Sequence, residues 1–226
     1  MNKKIICLSA GHGGNDPGAC GNGLKEADLT GDIVERIKPR LKNYNCDVVV
    51  APRYEDLGAR TTFANQIKAS LYLSIHCNGG GGTGFESFIH TNTGEKTKEI
   101  QATIHNAAMA YLKKHEIADR GLKTANFQVL RETSMPAVLL ECLFVDHPED
   151  AKLLASEVFR DGLANEIAYG VAQAMNLQTK KNPENSCQGC QIVQELSVEN
   201  SNLRSQVQSL KQTIKEIQLL VGGLKC

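Results

Sequence analysis

His12, Glu26 and His76 are the residues of this chain whose types and places most suggest chemistry. His12 follows a short apolar run inside SAGHGGNDPGA, a loop so rich in Gly, Asn, Asp and Pro that its backbone must turn sharply. Glu26 opens a helical pattern in GLKEADL, and His76 closes a second apolar run in LYLSIHCN. Each alone reads as a hydrogen-bonded loop residue. In an open α/β sheet, however, ligands gather at the carboxyl ends of the strands, where all three would fall. Two imidazoles and one carboxylate make a catalytic zinc site that leaves a fourth position for water. Glu141 is the fourth candidate, closing a predicted strand within the apolar run AVLLECLF. A carboxylate at the end of a buried strand is costly unless it is paired or near a metal. It either reaches solvent at the sheet edge or serves as a general base toward water activated by the metal.

Elements that could position these groups alternate along the first 177 residues. Residues 5–9, 47–51, 71–76, 85–91, 127–131 and 137–141 are short apolar or β-branched runs bounded by turn formers, and read as strands. Residues 27–41, 57–67, 97–115 and 157–175 carry helical patterns. This alternation predicts an α/β fold with a single, mostly parallel sheet and helices on both faces. A length of 226 residues suits one such domain with an appendage. Lys and Arg (25) balance Asp and Glu (25), so no basic field draws the chain to nucleic acid or an anionic membrane. No apolar run reaches the roughly 18 residues of a membrane span. The N-terminus reads as a first strand and not as a signal peptide, which predicts synthesis in the cytoplasm. The eight cysteines are mostly scattered singly on apolar segments, as free thiols of a reducing compartment are.

Seven segments together carry a family likeness: GHGGNDPGA (11–19), KEADL (25–29), RTTFAN (60–65), SIHCN (74–78), GFES (84–87), RGLK (120–123) and VLLECLFVDHPED (138–150). With them the chain resembles the zinc-dependent N-acetylmuramoyl-L-alanine amidases from residue 3 to about residue 177. The resemblance implies that His12, Glu26 and His76 hold Zn²⁺ and that Glu141 is the catalytic glutamate. It implies peptidoglycan as partner, cleaved at the amide between the lactyl group of N-acetylmuramic acid and L-alanine. Asn78, Arg60 and Arg131 are candidates for holding that substrate, with structural roles as the alternative. Two departures from the family pattern, the GGGGT of 79–83 and the pair Asp146-His147, bear on substrate fit. A chain of this kind made without a signal suggests a phage endolysin that reaches the cell wall through a holin. The rivals are an amidase of soluble muropeptides in wall recycling, and a structural adaptor with a relic zinc domain. The complete set of four key residues speaks against the last.

Composition changes at Gln178. Residues 178–191 are polar and read as a linker, and 192–226 carry heptads. Val193, Asn200, Val207, Ile214 and Val221 occupy one seam position, and Leu196, Leu203, Leu210, Ile217 and Leu224 the other. β-Branched residues at a with mainly Leu at d, and Asn200 at an a position, predict a homodimeric coiled coil. A single amphipathic helix packed on the catalytic domain is the alternative. At the start of that coil, the Cys187 and Cys190 of CQGC could form a tetrahedral zinc site from two copies, interchain disulfides, or unligated thiols.

Overall fold

The computed structural model describes residues 3–53 and 56–180, and of the C-terminal stretch Ile214 alone, in a helix. The heptads, Cys187 and Cys190 therefore lie outside the described residues. The predicted linker starts three residues too early. Asn45 donates its N–H to the Gln178 carbonyl and Lys180 its N–H to that of Asn43, so residues 178–180 still belong to the folded unit.

Among the described residues, a central sheet of six strands organises the unit that ends at Lys180. Its strands are β1 (Lys4–Ala10), β4 (Cys46–Val50), β5 (Leu71–Asn78), β6 (Phe85–Ile89), β7 (Asp119–Thr124) and β8 (Ala137–Phe144), in the spatial order β4-β1-β5-β8-β6-β7. A two-residue hairpin, β2 (Cys20–Gly21) with β3 (Leu24–Lys25), stands outside it. β4, β1, β5 and β8 are parallel; β6 runs antiparallel to β8, and β7 runs parallel to β6. The sheet is thus mostly parallel, with its last two strands reversed together.

Both faces are covered, which is why the inner strands read as near-continuous apolar runs. On one face Ile6, Leu8, Leu73, Ile75, Val138 and Leu140 meet α1 (Glu26–Leu41), α3 (Glu95–Leu112) and α6 (Glu157–Ala174). α1 contributes Leu29, Ile33, Val34, Ile37 and Leu41, the apolar stripe a 3.6-residue period requires. On the other face Cys7, Tyr72, Ala137 and Leu139 meet α2 (Leu57–Gln66) and α4 (Gln128–Arg131). A short α5 (Pro148–Ala155) links β8 to α6.

Two expectations from the sequence are overturned here. Residues 127–131 form no strand: after Phe127 the chain turns into α4, which buries Val129 and Leu130 in the smaller core. The strand is β7, whose sequence DRGLKT leaves no residue fully buried. An edge strand with one neighbour needs little apolar surface, so its signal was weak. Nor does Glu141 end its strand, because β8 continues to Phe144.

Past Glu141 the register slips. His76 faces Glu141 and Asn78 faces Phe144, so β8 spends one extra residue there. Leu143, fully buried, takes φ +67°, a region hostile to a bulky side chain. A bulge beside a site is a common way to re-aim side chains, and Asp150 anchors this one. Its carboxylate, 1% exposed, accepts the Phe144 N–H (3.0 Å), the Gly84 N–H (3.0 Å) and the Thr83 hydroxyl (2.7 Å). It ties the end of β8 to the start of β6. Asp150→Ala strands two backbone donors, and the expected loss is about 3 kcal/mol of stability, near 1–3 kcal/mol per buried unsatisfied group. A denaturant midpoint that does not move would show that the bulge is held by other contacts.

Candidate active site

Three segments converge at the carboxyl ends of β1 and β5. The loop after β1 begins with Gly11, whose N–H donates to the Ile75 carbonyl (2.8 Å), and His12 follows in a left-handed conformation at φ +57°. Such a backbone needs support, and buried Arg60 supplies it. Its guanidinium donates to the carbonyls of Ala10 (2.6 Å), His12 (3.0 Å) and Arg53 (2.6 Å). The Thr30 hydroxyl adds a bond to the Gly11 carbonyl (2.7 Å). The loop then folds over α1, with Pro17 and Ala19 carbonyls accepting the Ala27 and Glu26 N–H groups at 3.0 and 2.9 Å. Glu26 therefore stands in the first turn of α1, where the helix dipole favours a carboxylate.

Glu26 is 4% exposed and fully engaged. One oxygen lies 3.0 Å from His76 Nδ1 and accepts the Cys77 N–H (3.0 Å); the other lies 3.1 Å from His12 Nε2 and accepts the Ala19 N–H (2.9 Å). Burial by itself would raise this carboxyl. The His76 hydrogen bond and the two backbone N–H groups outweigh it and hold the group below its ordinary value. One ligand atom from each of His12, Glu26 and His76 lies within 4.8 Å of the others, the only such group among the described residues.

The surroundings are shaped to these side chains. A Cβ on Gly11 would come within 2.5 Å of the His76 ring, and one on Gly18 within 2.6 Å of both Glu26 and the His12 ring. Asp16 accepts from His12 Nδ1 at 2.7 Å and from the Gly18 N–H at 3.0 Å. The partner on Nδ1 leaves Nε2 toward Glu26, as an outer carboxylate orients a ligating imidazole. Asp16 went unassigned in the sequence, although it sits four residues after His12.

Glu141 pairs with His76 across β5 and β8, and with Glu86 across β8 and β6. The three side chains stand in a row on one face of the sheet. Glu141 is the opposite of Glu26 in its environment, because its Oε2 is buried with no hydrogen-bond partner among the described residues. Burial, reinforced by the charges of Glu26 and Glu86, pushes its carboxyl up to about 8. A pair of buried carboxylates driven apart in this way divides into a fixed anion and a proton carrier. An orphaned acid oxygen beside two imidazoles and a carboxylate is a donor set that fits a divalent cation.

The three substrate candidates separate. Asn78 is at this edge, donating to Glu86 Oε1 (2.7 Å) and accepting the Gly79 N–H (3.0 Å). Arg60 is committed to the three carbonyls beneath the His12 loop. Arg131 lies at the other edge of the sheet, where β6 and β7 end, and its guanidinium reaches Asn126 Oδ1 (3.0 Å). The reversal of β6 and β7 put it there, and no local pattern marked that reversal. Sequence reasoning assigned Glu86 no role, although it lies within the GFES segment.

Comparison with known proteins agrees with this arrangement. The sequence profile of the N-acetylmuramoyl-L-alanine amidase family matches residues 6–173. The chain is similar to the sporulation-specific N-acetylmuramoyl-L-alanine amidase of Bacillus subtilis, 44% identical over 178 residues that span 76% of this chain and 69% of the relative. It is also similar to the endolysin of Bacillus phage SPP1, 41% identical over 184 residues, 78% of this chain and 68% of the relative. Among solved structures, an N-acetylmuramoyl-L-alanine amidase of Clostridium difficile superposes with a TM-score of 0.74 at 31% identity, covering 78% of this chain and 98% of that one. With its profile matched from β1 through α6, and His12, Glu26 and His76 gathered at the sheet edge, the chain belongs to the N-acetylmuramoyl-L-alanine amidase family.

Proposed function

We infer that this chain hydrolyses the amide between the lactyl group of N-acetylmuramic acid and L-alanine of peptidoglycan, with Zn²⁺ held by His12, Glu26 and His76. The observation that carries this reading is the convergence of those three groups beside Glu141, a buried acid with one oxygen free. When bound, Zn²⁺ supplies Lewis acidity to the scissile carbonyl and to the attacking water, and a positive charge that favours ionised Glu141. Glu141 takes the proton of the attacking water on its carboxylate, for which Oε2 has no competing partner. The same carboxyl then hands the proton to the departing amine of L-alanine. Glu26 keeps its charge throughout because its oxygens are already bonded. Asp16 and Arg60 hold His12 in place, so the site needs little rearrangement during turnover.

The phage relative supports wall lysis of the endolysin kind. The heptads of 192–226 support a homodimer, for which light scattering should give twice the chain mass, and a chain ended at Lys180 should be monomeric. Purified sacculi should release new N-terminal alanine, lose this activity to a chelator and regain it with zinc. Sacculi left intact under zinc, or cleaved as well under chelation, would overturn the reading.

Glu141→Gln is expected to keep zinc and lower turnover by roughly 10²–10⁴-fold, the range of general acid–base catalysis. Near-normal rates would remove Glu141 from the mechanism. His12→Ala, Glu26→Ala and His76→Ala should each lose zinc along with activity, since two protein ligands hold the metal poorly. Elemental analysis decides this, and full occupancy would strike that residue from the set. In metal-free protein, the neutral Glu141 carboxyl contributes stability fully present below about pH 4.5 and lost as pH rises through about 8. Glu141→Gln does not titrate, so its advantage in denaturation midpoint should grow across that window. A constant difference would show that the metal-free fold holds Glu141 ionised.

A further inference from the structure

The row His76–Glu141–Glu86 does not stop at the proposed catalytic glutamate. Glu86 is 3% exposed, yet it gathers more charge than it carries. Its Oε2 accepts Arg120 Nε at 2.8 Å and the Lys123 ammonium, while Oε1 accepts the Asn78 amide. Two cations on one carboxylate leave a surplus of one positive charge. Both cations are open to solvent, with side-chain exposures of 34% for Arg120 and 36% for Lys123. Arg120 is steadied from two sides, by the Thr83 carbonyl at 3.4 Å and by the Phe144 ring, whose centroid lies 4.9 Å from the guanidinium carbon. It can present its remaining N–H donors in a fixed orientation.

We propose that Arg120 and Lys123, held by Glu86, are specificity-determining residues that bind a carboxylate on the peptide leaving group. The inference rests on the amidase reading of the site. Arg120 and Lys123 stand on β7, two strands from Glu141, and their charged ends reach back to Glu86 on β6. With neighbouring strands about 4.8 Å apart, the cations lie roughly 5–10 Å from the scissile amide. An extended peptide advances about 3.3 Å per residue, so that span reaches the second residue of the stem. Without an anion there the two cations keep part of their charge open to solvent. A carboxylate would complete the cluster at two cations and two anions, and a planar guanidinium suits it better than a carboxamide does.

Two soluble probes test this: N-acetylmuramoyl-L-alanine extended by the same second residue, bearing either a free carboxylate or its carboxamide. The wild-type, zinc-loaded chain should favour the carboxylate by about 10–100-fold in kcat/KM, mainly through KM, and the preference should shrink as salt rises. In Arg120→Gln and in Lys123→Gln, each checked for zinc content and melting temperature, the ratio between the probes should fall toward one. Arg120→Lys should restore part of it. Equal wild-type rates on the two probes would overturn the proposal without any variant. So would variants that lose activity on both probes in proportion, since the cluster would then only brace the strands. Failure of the amidase reading looks different, because neither probe would then be cleaved.

Discussion

A carboxylate taken out of water must be met by hydrogen bonds or positive charge, and Glu26 on α1 is met from two other parts of the chain. The loop after β1 brings His12 and the Ala19 N–H, the end of β5 brings His76 and the Cys77 N–H, and α1 supplies the residue itself. Loosening any one would leave a charge in the interior, at a cost of several kcal/mol. The requirement binds the first helix to the centre of the sheet. It also explains why the residues around it are fixed so firmly: Arg60 under the loop, Thr30 on Gly11, and no room for a Cβ at Gly11 or Gly18.

Glu141 shows what the same interior does to a carboxylate without such partners. Across the strand pair from His76, the partner of Glu26, it keeps an oxygen with no bond and a raised affinity for a proton. Two acids of the same type, both buried, thus acquire different roles from their neighbours alone. Glu86, third in the row, is a further case: Arg120, Lys123 and Asn78 keep its carboxyl ionised against the effect of burial. Along the row the carboxyls pass from one without a partner at Glu141 to one held by two cations at Glu86, and strand order sets that sequence.

That order depends on β6 running against β8. A fully parallel sheet would have carried Glu86 and β7 to other heights relative to Glu141. The reversal brings Glu86 into register with Glu141 and sends the far ends of β6 and β7, with Arg131, to the opposite edge. The bulge after Glu141, anchored through Asp150, lets β8 rejoin Asn78 one residue late.

The sequence by itself determined most of the elements and singled out the three polar residues that meet at the sheet edge. Apolar runs between Gly, Asn and Pro mark β1, β5 and β8, because strands buried on both faces can hold little else. A helical stripe marks α1, and His12, Glu26 and His76 stand out as polar residues at the ends of those elements. Tertiary structure decided what each polar residue touches. Arg60 and Arg131 looked alike as chain text, yet one braces the His12 loop and the other lies across the sheet. β7 was missed because an edge strand buries too little to show a pattern. Glu86 was missed because its meaning rests on residues 34 and 37 positions further along. Local periodicity reports how much of a residue is buried, whereas the partner waiting at the buried place is set by strand order and register, which depend on contacts far apart in the chain.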